Sequence, residues 1–174
     1  MNNWYRFRLG GLNSHLILTL MKDFENFGDI NKKDLIELNY SKETIDSISS
    51  LLEIDLEDEK EKYKRNKVRI LSYNSDEYPR MLKEISNPPP FLYVKGNGDF
   101  SNKSLAVVGT RKISSYGKLA CDKIVSGFNN KGITIVSGLA LGVDTYAHEI
   151  ALKGNTSVIG VVAQGLDIIY PPSN

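Results

Sequence analysis

The chain has a single cysteine, Cys121, in 174 residues. That excludes an intramolecular disulfide and fits a reducing, cytoplasmic compartment. A lone thiol of this kind reads as a small apolar residue buried in a helix. Only two histidines are present, His15 and His148, and they lie far apart. A catalytic triad and a histidine-built metal site both lack their residues. No secretory run opens the chain, because Arg6 and Arg8 interrupt the segment from Trp4 to Leu12. No uninterrupted apolar stretch reaches the ~20 residues of a membrane-crossing helix. There is no Gly-Lys-Thr/Ser P-loop and no true G-x-G-x-x-G fingerprint, which argues against kinase, NTPase and dehydrogenase chemistry. Internal repeats and low-complexity tracts are missing as well.

What is present is globular in balance, with 41% hydrophobic and 25% charged residues. The net charge of +1 divides unevenly: residues 1–66 carry 10 Lys and Arg against 13 Asp and Glu, and residues 67–174 carry 12 against 8. The positive field therefore belongs to the second half, where it suits an anionic ligand.

The first half reads as helical. Ser14 is placed to cap a helix through Leu16, Leu20 and Phe24, and Ser41 opens another with Ile45, Ile48 and Leu52 at helical spacing. The run Glu57 to Lys62 is too densely charged to bury and reads as a solvated helix end or linker. These features predict a small all-helical domain over residues 1–62.

From Val68 the pattern changes. Val68 to Leu71 is a short strand, Tyr78 to Ser86 a helical turn region, and Pro88-Pro89-Pro90 ends it. Strands are then predicted at Leu105–Val108, Ile133–Val136 and Val158–Val162, with helices at about 115–128 and 141–152 between them. Tyr116, Ala120, Ile124 and Phe128 share one helix face, as do Val143, Ala147, Ile150 and Ala151. Continuous apolar strands alternating with helices predict a doubly wound, mainly parallel sheet over residues 63–174.

Ligands of such sheets bind beyond the carboxyl ends of the strands. Here the first strand leads into Gly109-Thr110-Arg111-Lys112, the second into Ser137-Gly138-Leu139-Ala140-Leu141-Gly142, and the third into Gln164-Gly165-Leu166-Asp167. Glycine lets backbone approach a ligand, arginine offers a planar fork of donors for phosphate, and exposed amides at a helix start attract anions. Asp144 and His148 are four residues apart on one helix, where they are placed to hydrogen-bond each other; one Asp and one His are too few for a metal. Gly117 and Gly142 read equally well as packing glycines. Tyr116 and Tyr170 are the aromatic candidates for stacking on bases, and both read as partly buried packing residues.

At these loops the sequence resembles the DNA-processing protein A (DprA/Smf) family. The matching pieces are Tyr78-Pro79-Arg80-Met81-Leu82 with Pro89 to Gly96, Val107-Val108-Gly109-Thr110-Arg111 with Ser115-Tyr116-Gly117, Ser137-Gly138-Leu139-Ala140 with Gly142, Val143, Asp144, Ala147 and His148, and Gly165-Leu166-Asp167 with Tyr170, Pro171 and Asn174. Any one is weak, but four in family order are specific. The resemblance implies a Rossmann-like core that binds single-stranded DNA without sequence preference. It further implies help in loading a RecA-type recombinase during natural transformation and competence, homodimerisation of a full-length form, and neither a cofactor nor catalysis. Carried onto this chain, it implies phosphate contacts from Arg111 and from backbone around Gly109, Gly138, Leu139 and Ala140. The other site candidates are Thr110, Lys112, Ser137, Gly142 and Gly165, with Asp144 and His148 in support. The helical first half resembles the SAM-like or helix-hairpin-helix domain of many members. Leu141 stands where the family often has a basic residue, and the family core continues past Asn174, so an incomplete sheet is expected. The competing reading is a nucleotide-binding sensor or a phosphoribohydrolase-like enzyme on a related fold, whose P-G-G-x-G-T motif this chain lacks.

Overall fold

The computed structural model describes residues 2–98 and 100–168. They form two compact units, Met1–Gly96 and Asn97–Asn174, each with its own hydrophobic cluster.

The first unit begins with α1 (Tyr5–Leu9), α2 (Ser14–Asp23), a 3-10 turn (Phe27–Asp29), α3 (Lys32–Glu37), α4 (Lys42–Leu51) and α5 (Glu57–Arg65). Side-chain caps explain where three of them start. Asn13, Asn31 and Ser41 accept from the amides of Leu16, Asp34 and Thr44. The cap of α2 is thus Asn13, and Ser14 is the first helical residue: an amide side chain takes the capping position ahead of the expected hydroxyl. The charged run is a complete helix, α5, with acids in its first turn and bases in its last, as the helix dipole favours. Phe7, Ile17, Leu20, Leu35 and Ile48 fill the core.

Two strands, β1 (Val68–Ser72) and β2 (Phe91–Lys95), pair antiparallel from Val68 opposite Lys95 to Ser72 opposite Phe91, with α6 (Arg80–Lys83) between them. They pack with the helices. Phe91 is buried in the helical cluster, and Ile70 and Tyr73 lie against it. The Tyr5 hydroxyl is 2.9 Å from that of Tyr93 and 3.1 Å from that of Tyr63. A two-stranded sheet has too little apolar face to stand alone, so packing divides the chain at Gly96–Asn97 rather than at residues 62–63.

The second unit is a parallel three-stranded sheet in the order β3 (Lys103–Ala106), β4 (Ile133–Ser137), β5 (Val158–Gly160), connected by α7 (Ser115–Ser126) and α8 (Val143–Lys153). Leu105, Ile135 and Val158 form one row across the sheet. With Val107 they pack against Cys121 and Val125 of α7 and Ala147, Ile150 and Ala151 of α8. Both helices therefore cover the same face. Right-handed crossovers that always step to the next strand put successive helices on one side, which is the arrangement of one half of a doubly wound sheet.

The face of α7 is corrected. Cys121 and Val125 are buried, whereas Tyr116 and Ile124 are 80% and 54% exposed. Cys121 and Val125 are spaced four apart, so they lie on the one face that packs into the core of the sheet. The face expected for α8 is the buried one, with Ala147 and Ala151 fully enclosed.

Candidate functional site

The loops after β3 and β4 leave the carboxyl ends of neighbouring strands and are joined to each other. The Val143 amide donates to the Thr110 carbonyl at 3.1 Å. Gly142 has φ +88, and a Cβ there would lie 2.2 Å from the Thr110 oxygen. A Cβ on Gly109 would come within 2.7 Å of the Val143 side chain. Gly142 is thus required both by its backbone conformation and by close approach. Gly117 is a packing residue: its amide donates to the Ser114 hydroxyl that caps α7, and an added Cβ would sit 3.0 Å from Ile113.

Each candidate then has a definite place. Arg111 and Lys112 are exposed, and neither forms an ion pair with another described residue. Thr110 shapes their turn, its hydroxyl accepting from the Lys112 amide at 3.2 Å. Ser137 is buried and turned inward, donating to the Val107 carbonyl at 2.6 Å, so it ties β4 to the end of β3. The Gly138 amide donates to the Asp144 carboxylate at 3.1 Å. Asp144 therefore spends its charge on the loop amide, and no Asp144–His148 hydrogen bond is among those of the described residues. Leu139 has φ +55, a strained value for a non-glycine residue. A Cβ on Gly160 would lie 2.5 Å from the Leu139 side chain, so the side chain faces β5 and leaves the loop its backbone. The Ala140 carbonyl accepts from both the amide and the hydroxyl of Thr145.

The helix α8 has no side-chain cap; its N-cap is Gly142. Two of its early amides, on Val143 and Thr145, are taken by Thr110 and Ala140. The amides of Arg111, Ala140, Leu141 and Gly142 make no hydrogen bond to another described residue. Open donors, a helix N-terminus and two cations are the elements of an anion site. Gly165 is exposed on the third loop, where its carbonyl accepts from the Ile168 amide. Tyr170, Pro171 and Asn174 lie outside the described residues.

His148 is buried, with its Nε2 unpartnered. Burial pushes its imidazole below the ordinary value, opposed by a backbone hydrogen bond at Ile159 and by the nearby Asp144 carboxylate. Sequence reasoning missed Val143, whose amide and side chain meet both Thr110 and Gly109. The signal was there in two glycines flanking one β-branched residue across the loops.

Fold and loops together define a mixed α/β protein that exposes backbone amides and cations at the carboxyl ends of parallel strands. A family model for DNA recombination-mediator protein A matches residues 69–174, and the chain belongs to that family. It is 33% identical over 172 residues to the DNA processing protein DprA of Streptococcus pneumoniae, covering 98% of this chain and 60% of that protein. It is 39% identical over 119 residues to Protein Smf of Synechocystis, covering 66% of this chain and 30% of that protein. The X-ray structure of Streptococcus pneumoniae DprA superposes with a TM-score of 0.76 at 31% identity over 100% of this chain and 62% of that one. DNA processing protein A of Helicobacter pylori, a structure concerned with its single-stranded DNA binding mode, gives a TM-score of 0.53 at 30% identity over 61% of this chain and 47% of that one. The chain thus spans about 60% of the Streptococcus relative's length.

Proposed function

We propose that this protein binds single-stranded DNA, without sequence preference, through the joined loops after β3 and β4. The observation that carries the reading is the Thr110–Val143 junction, which sets Arg111 and Lys112 beside the uncapped start of α8. The Helicobacter pylori relative's single-stranded DNA binding supports the choice of ligand. The contacts fall to the Arg111 and Lys112 side chains and to backbone at Gly109, Leu139, Ala140 and Gly142. Gly138 and Ser137, with Asp144 and His148, hold the loops in shape, and Gly165 borders the site. The work is binding rather than catalysis. It belongs in the cytoplasm, where the protein hands the strand to a RecA-type recombinase in DNA processing and natural transformation and acts as a homodimer in its full-length form. A functional division near residues 62–63, supported by the family match beginning at residue 69, coexists with the packing boundary at Gly96.

The test is anisotropy of a labelled single-stranded oligonucleotide at several salt concentrations, with the wild-type protein and Arg111→Ala. Each phosphate neutralised on a single strand adds about −0.7 to the slope of log affinity against log salt, so the variant should bind more weakly and with a shallower slope. A folded protein with no salt-dependent binding, or a variant identical to wild type, overturns the reading. Displacement by nucleoside monophosphates would favour a nucleotide sensor instead.

A further inference from the structure

Among the described tyrosines, Tyr116 alone has neither a hydrogen bond from its hydroxyl nor a ring contact with another described residue. Tyr5, Tyr63 and Tyr93 share their hydroxyls; Tyr40 and Tyr146 donate to Asp23 and Asp122; Tyr78 donates to the Pro89 carbonyl and stacks edge-on with Tyr73. The Tyr116 ring is 80% exposed, and Leu119, one turn further on the same face, is 68% exposed. Isolated apolar residues on a surface need no explanation, but this pair's position does. Tyr116 is the second residue of α7, at the carboxyl-end rim of the sheet and a few residues from the exposed cations Arg111 and Lys112.

The turn that presents the ring is a built one. The Ser114 hydroxyl accepts from the Gly117 amide at 3.1 Å, Ile113 packs against Gly117, and the Thr110 hydroxyl fixes Lys112. A flat, exposed aromatic held beside a positive loop matches the make-up of single-stranded nucleic acid, in which phosphates and unpaired base faces alternate. We infer that Tyr116, flanked by Leu119, is a base-stacking platform and the residue that makes the site choose single strands over duplex. The inference rests on the DNA reading above. Cations and amides grip phosphate in either form of DNA. A base in a duplex has both faces covered by its neighbours, so only an unpaired base offers the ring a partner.

The experiment compares wild type, Tyr116→Ala, Tyr116→Phe and Arg111→Ala by anisotropy on three labelled ligands: oligothymidylate, an abasic oligonucleotide of equal length, and a duplex. Thermal melts accompany the titrations to show that each variant is folded. The expected result is that Tyr116→Ala weakens oligothymidylate binding about 5- to 100-fold. Its affinity for the abasic strand and for the duplex stays close to wild type, so the preference for single strands disappears. Phenylalanine restores it, because stacking does not use the hydroxyl. Arg111→Ala weakens all three ligands. Equal loss on the thymidylate and abasic strands, or no loss on either, overturns the platform while leaving the DNA reading standing. A folded wild-type protein that binds none of the three ligands overturns both.

Discussion

The carbonyl of Thr110 accepts from the amide of Val143 at 3.1 Å, so the loop after β3 meets α8 at its first residue. That one backbone bond makes two loops, separated by a strand and a helix in sequence, into a single surface. Its geometry depends on having no side chain at Gly142.

Gly142→Ala tests the dependence directly. The φ of +88 and the 2.2 Å approach to the Thr110 oxygen both forbid a Cβ. The conformational part alone costs about 1–2 kcal/mol. We expect a lower melting temperature for the second unit and a DNA affinity reduced more than stability alone accounts for, because the loops must separate. Urea melts alongside anisotropy measure the two effects.

The buried face of α7 separates two adjacent residues. Val125 is fully buried and Ile124 is 54% exposed. Val125→Ala should cost about 2 kcal/mol through lost burial and the cavity left behind. Ile124→Ala should stay within about 0.5 kcal/mol. Denaturant midpoints compared at equal slope decide between this face and the one carrying Tyr116.

Acid should loosen the second unit first. The His148 imidazole is held below its ordinary value of about 6.5 in the folded state. Between the two values the unfolded chain binds the extra proton, so the contribution is full above pH ~6.5 and is lost as pH falls toward the folded-state value. His148→Gln should flatten that part of the stability profile, measured by melts between pH 7.5 and 5.

Alkali should act on the first unit. Burial and the hydroxyls of Tyr63 and Tyr93 raise the Tyr5 phenol, and burial with Tyr73 nearby pushes Tyr78 up to about 12. A raised folded-state value gives stability that is intact below the unfolded value of ~10 and is lost as pH rises through the folded one. Tyrosinate absorbance should therefore rise together with unfolding. Tyr5→Phe, which removes the shared hydroxyl, should lower stability by about 1 kcal/mol at neutral pH.

The parallel strands were legible because apolar runs such as Ile133 to Val136 are bounded by glycine-bearing loops, and the order of those loops carried the family. The face of α7 was not legible from apolar lettering. Tyr116 and Ile124 count as hydrophobic by type, while one of the two residues that dock, Cys121, is a small thiol that an apolar pattern passes over. The placing of β1 and β2 with the helices was hidden for a different reason. Phe91 and Tyr93 find Tyr5 across most of the first unit, and no local period records a long-range aromatic contact. At the site, Arg111 and the glycines could be read in advance. The partner of Asp144 could not, because helical spacing points to His148 whereas the folded loop supplies the Gly138 amide.

Leu139 holds its left-handed backbone with its side chain laid over Gly160, a residue on the neighbouring strand. A genetic consequence follows. Gly160→Ala would push Leu139 away and deform the loop, although position 160 offers no group to DNA. Leu139→Gly would remove the obstructing side chain and tolerate the same backbone twist. The two changes should therefore behave as a suppressor pair, each understandable only with the other, and a screen for restored function in a Gly160→Ala strain should return position 139.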